Sequence, residues 1–209
     1  VYIGGMLIKD NVLLVVGSTR GSGEAFGEAL GNDEDGFITK IDLETGALYT
    51  GEHSIVNVGR LGLEQDDYLT NICDDPNDPD IIYVTGATQG SDGTLTPTLT
   101  QVRVATLSTT WRQEFTPFHP ADIAAAAFAY HCHVIGDGDE VYVAGDIKDG
   151  AALLTSPAPN TSAGGVDVWI AQVAATDGTI VWSNQFGSAD QEALGGLTVD
   201  ATGNAILLG

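Results

Sequence analysis

The sequence has few basic residues, few cysteines and no long apolar run. Its 209 residues include 7 Lys and Arg against 29 Asp and Glu, so the formal net charge is −22. A surface with this balance repels a phosphate backbone, which excludes nucleic acid as a partner and disfavours anionic membrane surfaces. No apolar run reaches the roughly 18 residues that a membrane-spanning helix needs, so no transmembrane segment is predicted. Hydrophobic residues still make up 43% of the chain, enough to bury a core.

The chain also lacks a starting methionine. It begins inside an apolar segment at Val1 and stops inside another at Gly209. We therefore expect it to be a piece of a longer protein.

An internal repeat predicts the fold. A short apolar segment that ends in glycine occurs four times, at spacings of 69, 59 and 64 residues, with its last residue at Gly17, Gly86, Gly145 and Gly209. A second segment, which begins at Asp35, recurs from Asp167 at an offset of 132 residues, about twice the period. Repeats of this kind are typical of architectures built from one supersecondary unit.

Each repeat reads as four short strands separated by turn residues. The strands are nearly continuous apolar runs, which for antiparallel strands indicates that both faces of each sheet are covered. This pattern predicts an all-β fold of four-stranded antiparallel β-propeller blades: a partial blade over 1–22 and blades over 35–90, 99–150 and 166–209, all in one incomplete propeller domain. A β-sandwich stays open as the alternative. Alanines in the stretch 121–129 favour either a short helix or an extension of a strand.

The repeat motifs resemble those of the SBBP-type β-propeller repeats found in many secreted and surface proteins. One unit matches at Asp35, Phe37, Lys40 and Gly46, and the last unit matches at Asp167, Trp182, Gln185, Phe186, Gly187, Asp200, Gly203, Asn204 and Gly209. The resemblance implies a propeller fold and a secreted or cell-surface location, but no single activity. Propellers have four to eight blades, so about three blades and a fragment predict further blades outside this piece.

The repeats resemble quinoprotein propellers more weakly. Asp42, Thr45 and Gly46 match an Asp-x-x-Thr-Gly turn of that family, and Gly178 with Trp182 matches the Gly-x-x-x-Trp that follows. Their full docking motif occurs in no unit, because Ala174 replaces the Asp and Thr50 replaces the Trp.

The two cysteines predict a contact between neighbouring units. Cys73 lies ten residues before Tyr83 and Cys132 lies ten before Tyr142, which places them at equivalent positions on the third strands of adjacent blades. Near the propeller axis such positions come within disulfide reach. A disulfide between blades and two buried free thiols are both open.

Candidate metal ligands are sparse. His131 and His133 point to one face of a strand and offer two imidazoles to a metal, but packed or hydrogen-bonded histidines are the simpler interpretation. Acidic turns supply oxygen ligands at the two-residue spacing of calcium loops, and Asp33 and Asp35 are the calcium candidates, against solvated turn residues as the alternative. No other cofactor is predicted.

The remaining candidates concern glycosylation and aromatic residues. Asn160 begins an Asn-Thr-Ser sequon in a loop rich in small residues, and Asn71 begins a weaker one. Trp111, Trp169 and Trp182 fit either sugar stacking or the core between blades, and their repeat positions favour the core.

Two functions from different classes follow. The first is a non-catalytic extracellular or cell-surface scaffold that binds other protein subunits or extracellular glycans within a larger assembly, since no catalytic constellation accompanies the repeat. The second is part of a propeller enzyme, a quinoprotein-like oxidoreductase or a polysaccharide-acting enzyme, with its site in the central channel. A repeat arm in a polymeric extracellular assembly is a third possibility.

Overall fold

The structure is a computed structural model that describes residues 1–20, 23–25, 28–30, 34–48, 66–118, 126–135, 138–148, 152–153, 165–200 and 202–209. Every regular element in these ranges is a β-strand. The strands are β1 (Tyr2–Lys9), β2 (Val12–Arg20), β3 (Gly23–Ala25), β4 (Glu28–Leu30), β5 (Glu34–Asp42), β6 (Asp67–Asp74), β7 (Ile81–Gln89), β8 (Leu95–Arg103), β9 (Ser108–Glu114), β10 (Pro117–Phe118), β11 (Ala127–Val134), β12 (Glu140–Ile147), β13 (Ala152–Leu153), β14 (Asp167–Ala174), β15 (Ile180–Phe186), β16 (Gly196–Val199) and β17 (Ala205–Leu208).

The longer strands form antiparallel sheets in which strands adjacent in the order are hydrogen-bonded. Sheet 1 has the order β1-β2-β5, sheet 2 the order β6-β7-β8-β9 and sheet 3 the order β11-β12-β14-β15, while β16 and β17 form a terminal hairpin. Ile41 of β5 also bridges Leu48, at the place of a fourth strand in sheet 1. Two short pairs, β3 with β4 and β10 with β13, lie outside these sheets.

The sheets group the strands differently from the predicted blades over 35–90, 99–150 and 166–209. Sheet 2 takes β6 and β7 from one predicted unit and β8 and β9 from the next, and the partial blade predicted over 1–22 recruits β5 to form sheet 1. A repeat of four strands has the same period whichever strand is taken as its first. The sequence also does not show which of the connections between strands leads from one sheet to the next. The period is therefore visible in the sequence, whereas its starting strand is not.

Both faces of the sheets are covered, as the continuous apolar strands predict. In β7, Ile82 and Val84 belong to the core between sheets 1 and 2. Their neighbours Ile81 and Tyr83 belong to the core between sheets 2 and 3. Because alternate side chains of a strand point to opposite faces, sheet 2 is packed between two other sheets.

The stack continues to the terminal hairpin. Tyr142 and Ile170 of sheet 3 pack against Leu197 and Leu207 of the hairpin. Each fully buried aliphatic side chain contributes about 1.5–3 kcal/mol relative to exposure. A β-sandwich has two sheets, whereas three sheets and a hairpin are stacked in series here, so the prediction of stacked four-stranded propeller blades is confirmed.

The exposed apolar side chains lie at the ends of the stack. Met6 and Ile8 of β1 are 64% and 65% exposed, and Ile206 and Leu208 of β17 are 51% and 70% exposed. Their exposure follows from position, because the described residues place a sheet on only one side of sheet 1 and of the hairpin.

Two lysine side chains of sheet 1 form hydrogen bonds with residues of sheet 2 and its connections. The buried Lys9 Nζ donates to the carbonyl oxygen of Ile81 at 2.9 Å and pairs with the Asp74 carboxylate. Lys40, also buried, donates to the carbonyl oxygen of Ala105 at 3.0 Å. These bonds satisfy buried ammonium groups and connect adjacent sheets.

The aspartates of the repeat motifs shape turns. Asp42 Oδ1 accepts hydrogen bonds from the Thr45 backbone nitrogen at 2.8 Å and from Thr45 Oγ1 at 3.0 Å, ahead of Gly46 with φ of +68°. Asp200 Oδ1 accepts a bond from the Asn204 backbone nitrogen at 2.9 Å. The matching motif residues thus hold tight turns between strands, as aspartate side chains commonly do.

The described part of the alanine-rich stretch 121–129 is a strand and not a helix. Ala127 is the first residue of β11, and 121–125 lie outside the described residues. Within the described ranges, no helix long and apolar enough to cross a membrane is found.

Candidate functional site

The first strand of each sheet lies on the inside of the stack. β1 lies against β6, β6 against β11, and β11 against β16. We call these four the inner strands, because strands that meet from sheet to sheet lie closest to the propeller axis.

Three inner strands have a β-bulge at the same place in the repeat. The register with the neighbouring strand shifts at Gly4 in β1, at Thr70 in β6 and at Tyr130 in β11. A bulge inserts one residue and redirects the side chains around it. The shared bulge therefore determines which side chains reach the axis.

The repeat glycines lie opposite these bulges. A Cβ atom at Gly86 would stand 2.0 Å from the carbonyl oxygen of Tyr68, and at Gly17 and Gly145 the nearest carbonyl oxygen would be 2.0 and 1.7 Å away. Such distances are far below contact distance, so the absence of a side chain lets the bulged inner strand approach. At Gly17, Gly86 and Gly145 the glycine that ends each repeated segment is therefore required by packing.

A polar cavity opens where the bulges meet. Its volume is about 370 Å³, and we call it the axial cavity; it is lined by Tyr2, Gly4, Thr70, Asn71, Tyr130, His131, Asp146 and Leu194. These residues come from sheets 1, 2 and 3 and from the segment that leads into the hairpin. A concave site with converging polar groups is the usual form of a ligand site.

Hydrogen bonds hold the polar walls of the axial cavity. Asn71 Oδ1 accepts a bond from the Ile72 backbone nitrogen at 2.8 Å, and Asn71 Nδ2 lies 3.4 Å from His131 Nδ1. Asp146 Oδ1 accepts a bond from the Leu194 backbone nitrogen at 3.0 Å. The walls are thus built by contacts between sheets.

Burial shifts the pKa values of the titratable groups that line the axial cavity. It raises the pKa of the Asp146 carboxyl, although the Leu194 amide and Lys148 act in the opposite direction. It lowers the pKa of His131, which the Asp146 carboxylate partly offsets. Burial, followed by the negative charge of Asp146, raises the pKa of Tyr130 to about 12. His131 and Asp146 are therefore shifted in opposite directions, each toward its uncharged form.

The cysteines form a disulfide between sheets 2 and 3. The Cys73 and Cys132 Cα atoms are 5.9 Å apart. Cys73 is paired with Tyr83, but Cys132 is paired with Val143 and not with the equivalent Tyr142. The two cysteines are therefore one residue away from the equivalent positions that the sequence predicted. The reason is that the connection from β11 to β12 is one residue shorter than the connection from β6 to β7. The offset turns the two side chains to opposite faces of their sheets, toward each other.

The predicted histidine pair does not form a metal cluster in the described part of the chain, where no group of three or more His, Cys, Asp or Glu side chains is close enough to hold an ion. His131 lines the axial cavity. His133 is paired with Tyr142 in the ladder of sheet 3.

The calcium and glycosylation candidates lie mostly outside the described residues. Asp33 and Asn160 are both outside them. Asp35 is 4% exposed within β5, opposite Thr19. Calcium binding at Asp33 and Asp35 stays a prediction.

The three tryptophans pack between sheets, as their repeat positions predict. Trp169 is fully buried with its ring 5.1 Å from that of Phe115. Trp111 donates to the carbonyl oxygen of Ala175 at 2.9 Å. The Trp182 ring lies 5.8 Å from that of Tyr142 in its own sheet, in the core that sheet 3 forms with the terminal hairpin.

Sequence reasoning missed Asp146 and Tyr130 as site residues and considered Asn71 only as a sequon. A sequence signal was present for Asp146, which follows a repeat glycine, whereas Asn71 and His131 are related only by the bulge that each follows in neighbouring sheets. The bulge itself has no sequence signature in this chain.

A larger cavity of about 670 Å³ is mainly apolar. It lies between sheet 3 and the terminal hairpin, with Val168, Phe186 and Leu207 among its walls. Few polar groups converge on it, so the axial cavity is the better candidate site.

Comparison with known proteins places the fold among β-propellers. Quinohemoprotein alcohol dehydrogenase ADHIIG from Pseudomonas putida HK5 is similar with a TM-score of 0.51 and 13% sequence identity, over 98% of this chain and 38% of that structure. The quinohemoprotein alcohol dehydrogenase from Comamonas testosteroni gives a TM-score of 0.44 at 12% identity, over 87% of this chain and 31% of that one. No family model and no curated protein matches the chain. The chain spans little more than a third of the first neighbour, and the likeness shows a propeller fold and no activity.

Proposed function

We propose that the chain is part of a non-catalytic extracellular or cell-surface β-propeller that binds protein or glycan partners, with the axial cavity as its binding site. The observation that carries the proposal is the convergence of polar and aromatic side chains from three sheets on one open cavity. Membership of the SBBP-type repeats and a closed ring with further blades are part of the same proposal.

The extracellular location is supported by the disulfide between sheets 2 and 3. Disulfides persist in oxidising compartments and are rare in the cytosol. The net charge of −22 favours the solubility of such a surface.

Binding is tested by titrating the chain with panels of oligosaccharides and of peptides, followed by ligand-observed NMR. Replacement of the cavity residue Tyr2 by Ala should weaken binding of any ligand found by about tenfold, since an aromatic wall supplies a large share of contact energy. Tyr2 is 56% exposed, so this variant should fold.

The matched control is Thr109→Val on β9, three strands outward from the inner strand of sheet 2. It should bind as the unmodified chain does. The binding function is contradicted if no member of either panel binds, or if both variants lose the same affinity.

The second candidate is a propeller enzyme with its site in the central channel. It is favoured by one observation, the opposite pKa shifts of His131 and Asp146 in one cavity, since perturbed groups cluster at catalytic sites. The oxidoreductase version is supported only by the weak quinoprotein-like motifs of the sequence and by a similar fold in one quinohemoprotein alcohol dehydrogenase at 13% identity. Turnover of a polysaccharide or an alcohol that is abolished by His131→Gln, with binding retained, would favour the enzyme over the scaffold.

A further inference from the structure

The axial cavity contains a carboxylate, that of Asp146, which forms no ion pair within the described part of the chain. Asp146 is half-buried, and the one hydrogen bond that it accepts there comes from the Leu194 backbone nitrogen at 3.0 Å. The nearby Lys148 ammonium lies over the Phe128 ring, 5.8 Å from its centroid, and forms no ion pair with Asp146. Lys148 lowers the pKa of Asp146 only from a distance, so this partly buried carboxylate has no directly paired counter-ion.

His131 does not supply the missing positive charge. Because Asn71 Oδ1 accepts the Ile72 amide proton, the amide nitrogen of Asn71 faces His131 Nδ1, 3.4 Å away. That nitrogen can only donate, so Nδ1 must accept and the neutral ring carries its proton on Nε2. A protonated His131 would place two donors against each other, so the contact holds the imidazole neutral.

Aromatic and aliphatic groups form the rest of the wall. The Tyr130 ring stacks on Phe128 at 5.6 Å with an angle of 11° between the planes, which fixes its orientation. Tyr2 and Leu194 also line the cavity. Electron-rich ring faces beside a carboxylate attract ammonium groups, and an apolar wall suits an aliphatic stem.

Glycine keeps this region open. Gly4 lines the cavity, and a Cβ atom at Gly5 would lie 3.0 Å from Asn71 Oδ1. A side chain at Gly5 would therefore crowd Asn71, whereas a Cβ atom at Gly4 would stand 2.2 Å from the carbonyl oxygen of Leu69.

We propose that the axial cavity binds the side-chain ammonium group of a lysine on a protein partner, with Asp146 as its counter-ion. This inference rests on the proposed binding function and specifies its ligand. The ammonium pairs with the carboxylate, while the four-carbon stem packs against Leu194 and the tyrosine rings. The net charge of −22 attracts such a partner from a distance.

The test uses the full chain at neutral pH and low salt, with blocked lysine (N-acetyl-lysine methylamide) as probe. Ligand-observed NMR compares it with blocked norleucine, which lacks the ammonium, with blocked Nε-acetyl-lysine, and with glucosamine. Blocked lysine should bind at least tenfold more tightly than norleucine or acetyl-lysine. This comparison changes only the ligand and so does not depend on how a variant folds.

The protein-side test is Asp146→Asn, which removes the charge and keeps an oxygen that accepts the Leu194 amide. Binding of blocked lysine should fall at least tenfold, whereas Thr109→Val should leave it unchanged. A thermal melt of the variant should match or exceed that of the unmodified chain, because a buried charge has been neutralised.

Other outcomes overturn the inference. Equal binding of lysine and acetyl-lysine, retained lysine binding in Asp146→Asn, or binding of glucosamine alone each excludes lysine recognition by Asp146. If blocked lysine fails to bind while a ligand from the wider panels does, the lysine inference fails and the binding function stands. If nothing binds, both fail.

Discussion

Single glycines control how closely the inner strands approach their neighbours. At Gly17, Gly86 and Gly145 the carbonyl oxygen of the bulged inner strand occupies the space of a missing Cβ. None of the three needs a positive φ. Their role is therefore close approach and not turn formation, and the axial cavity depends on it because its side chains follow directly from the bulge.

Replacement of Gly86 by Ala should destabilise the chain by about 1–3 kcal/mol, since the new methyl group must push β6 away from β7. Urea denaturation measures the change. Gly196→Ala is the matched control, because a Cβ there meets nothing within 4 Å, and it should change the free energy of unfolding by about 0.5 kcal/mol or less. Equal losses in the two variants would contradict the packing role of Gly86.

At the scale of strands, β6 and β11 carry most of the candidate site. They contribute the Asn71–His131 contact, and the Cys73–Cys132 disulfide joins them a short distance along the strands. The disulfide closes a sequence separation of 59 residues, so it restricts the unfolded chain strongly. It also holds sheets 2 and 3 together beside the axial cavity.

The double variant Cys73→Ala, Cys132→Ala should unfold with a free energy lower by about 2–4 kcal/mol, the usual contribution of a disulfide across a long loop. Chemical denaturation with and without reductant measures it. Reductant should destabilise the unmodified chain and leave the double variant unchanged. Mass spectrometry shows whether the reductant has freed both thiols of the unmodified chain. If both are free and the denaturation midpoint is unchanged, the disulfide does not stabilise the fold.

At the scale of the whole molecule, charge opposes compactness. The chain has 7 basic residues, and Lys9 and Lys40 are buried between sheets 1 and 2. Four aspartates of the described residues, Asp35, Asp67, Asp75 and Asp167, are buried as well, so the large excess of negative charge remains at the surface. Self-repulsion of a surface with this excess of one sign destabilises the folded state.

The melting temperature should rise by several degrees when sodium chloride is raised from about 20 mM to about 300 mM, because salt screens exposed like charges. Differential scanning calorimetry measures the shift. Near pH 4, where about half of the exposed carboxyl groups are protonated, the same addition should have a smaller effect. A melting temperature that falls with salt at neutral pH would mean that attractive ion pairs outweigh the repulsion.

Prediction from the sequence succeeded where the signal is local. The apolar run over Ile81–Gln89 predicted a strand buried on both faces, and both of its faces are covered. The repeat positions of Trp111 and Trp169 predicted core packing, which the structure has. Prediction failed for the grouping of strands into sheets, because the repeat does not show which strand comes first. It also failed for the register of Cys132, because a difference of one residue in a connection reverses the direction of a side chain.

By itself, the sequence determined an all-β chain, its repeat period, its stacked sheets and its acidic surface, because apolar runs, turn residues and charge act over a few neighbouring positions. Only the tertiary structure decided which strands share a sheet, which faces the cysteines present, and that Asn71 meets His131 across 60 residues of sequence. Those outcomes depend on bulges and on packing between sheets. They set the geometry of the axial cavity, where Asp146 accepts a hydrogen bond from the Leu194 backbone nitrogen.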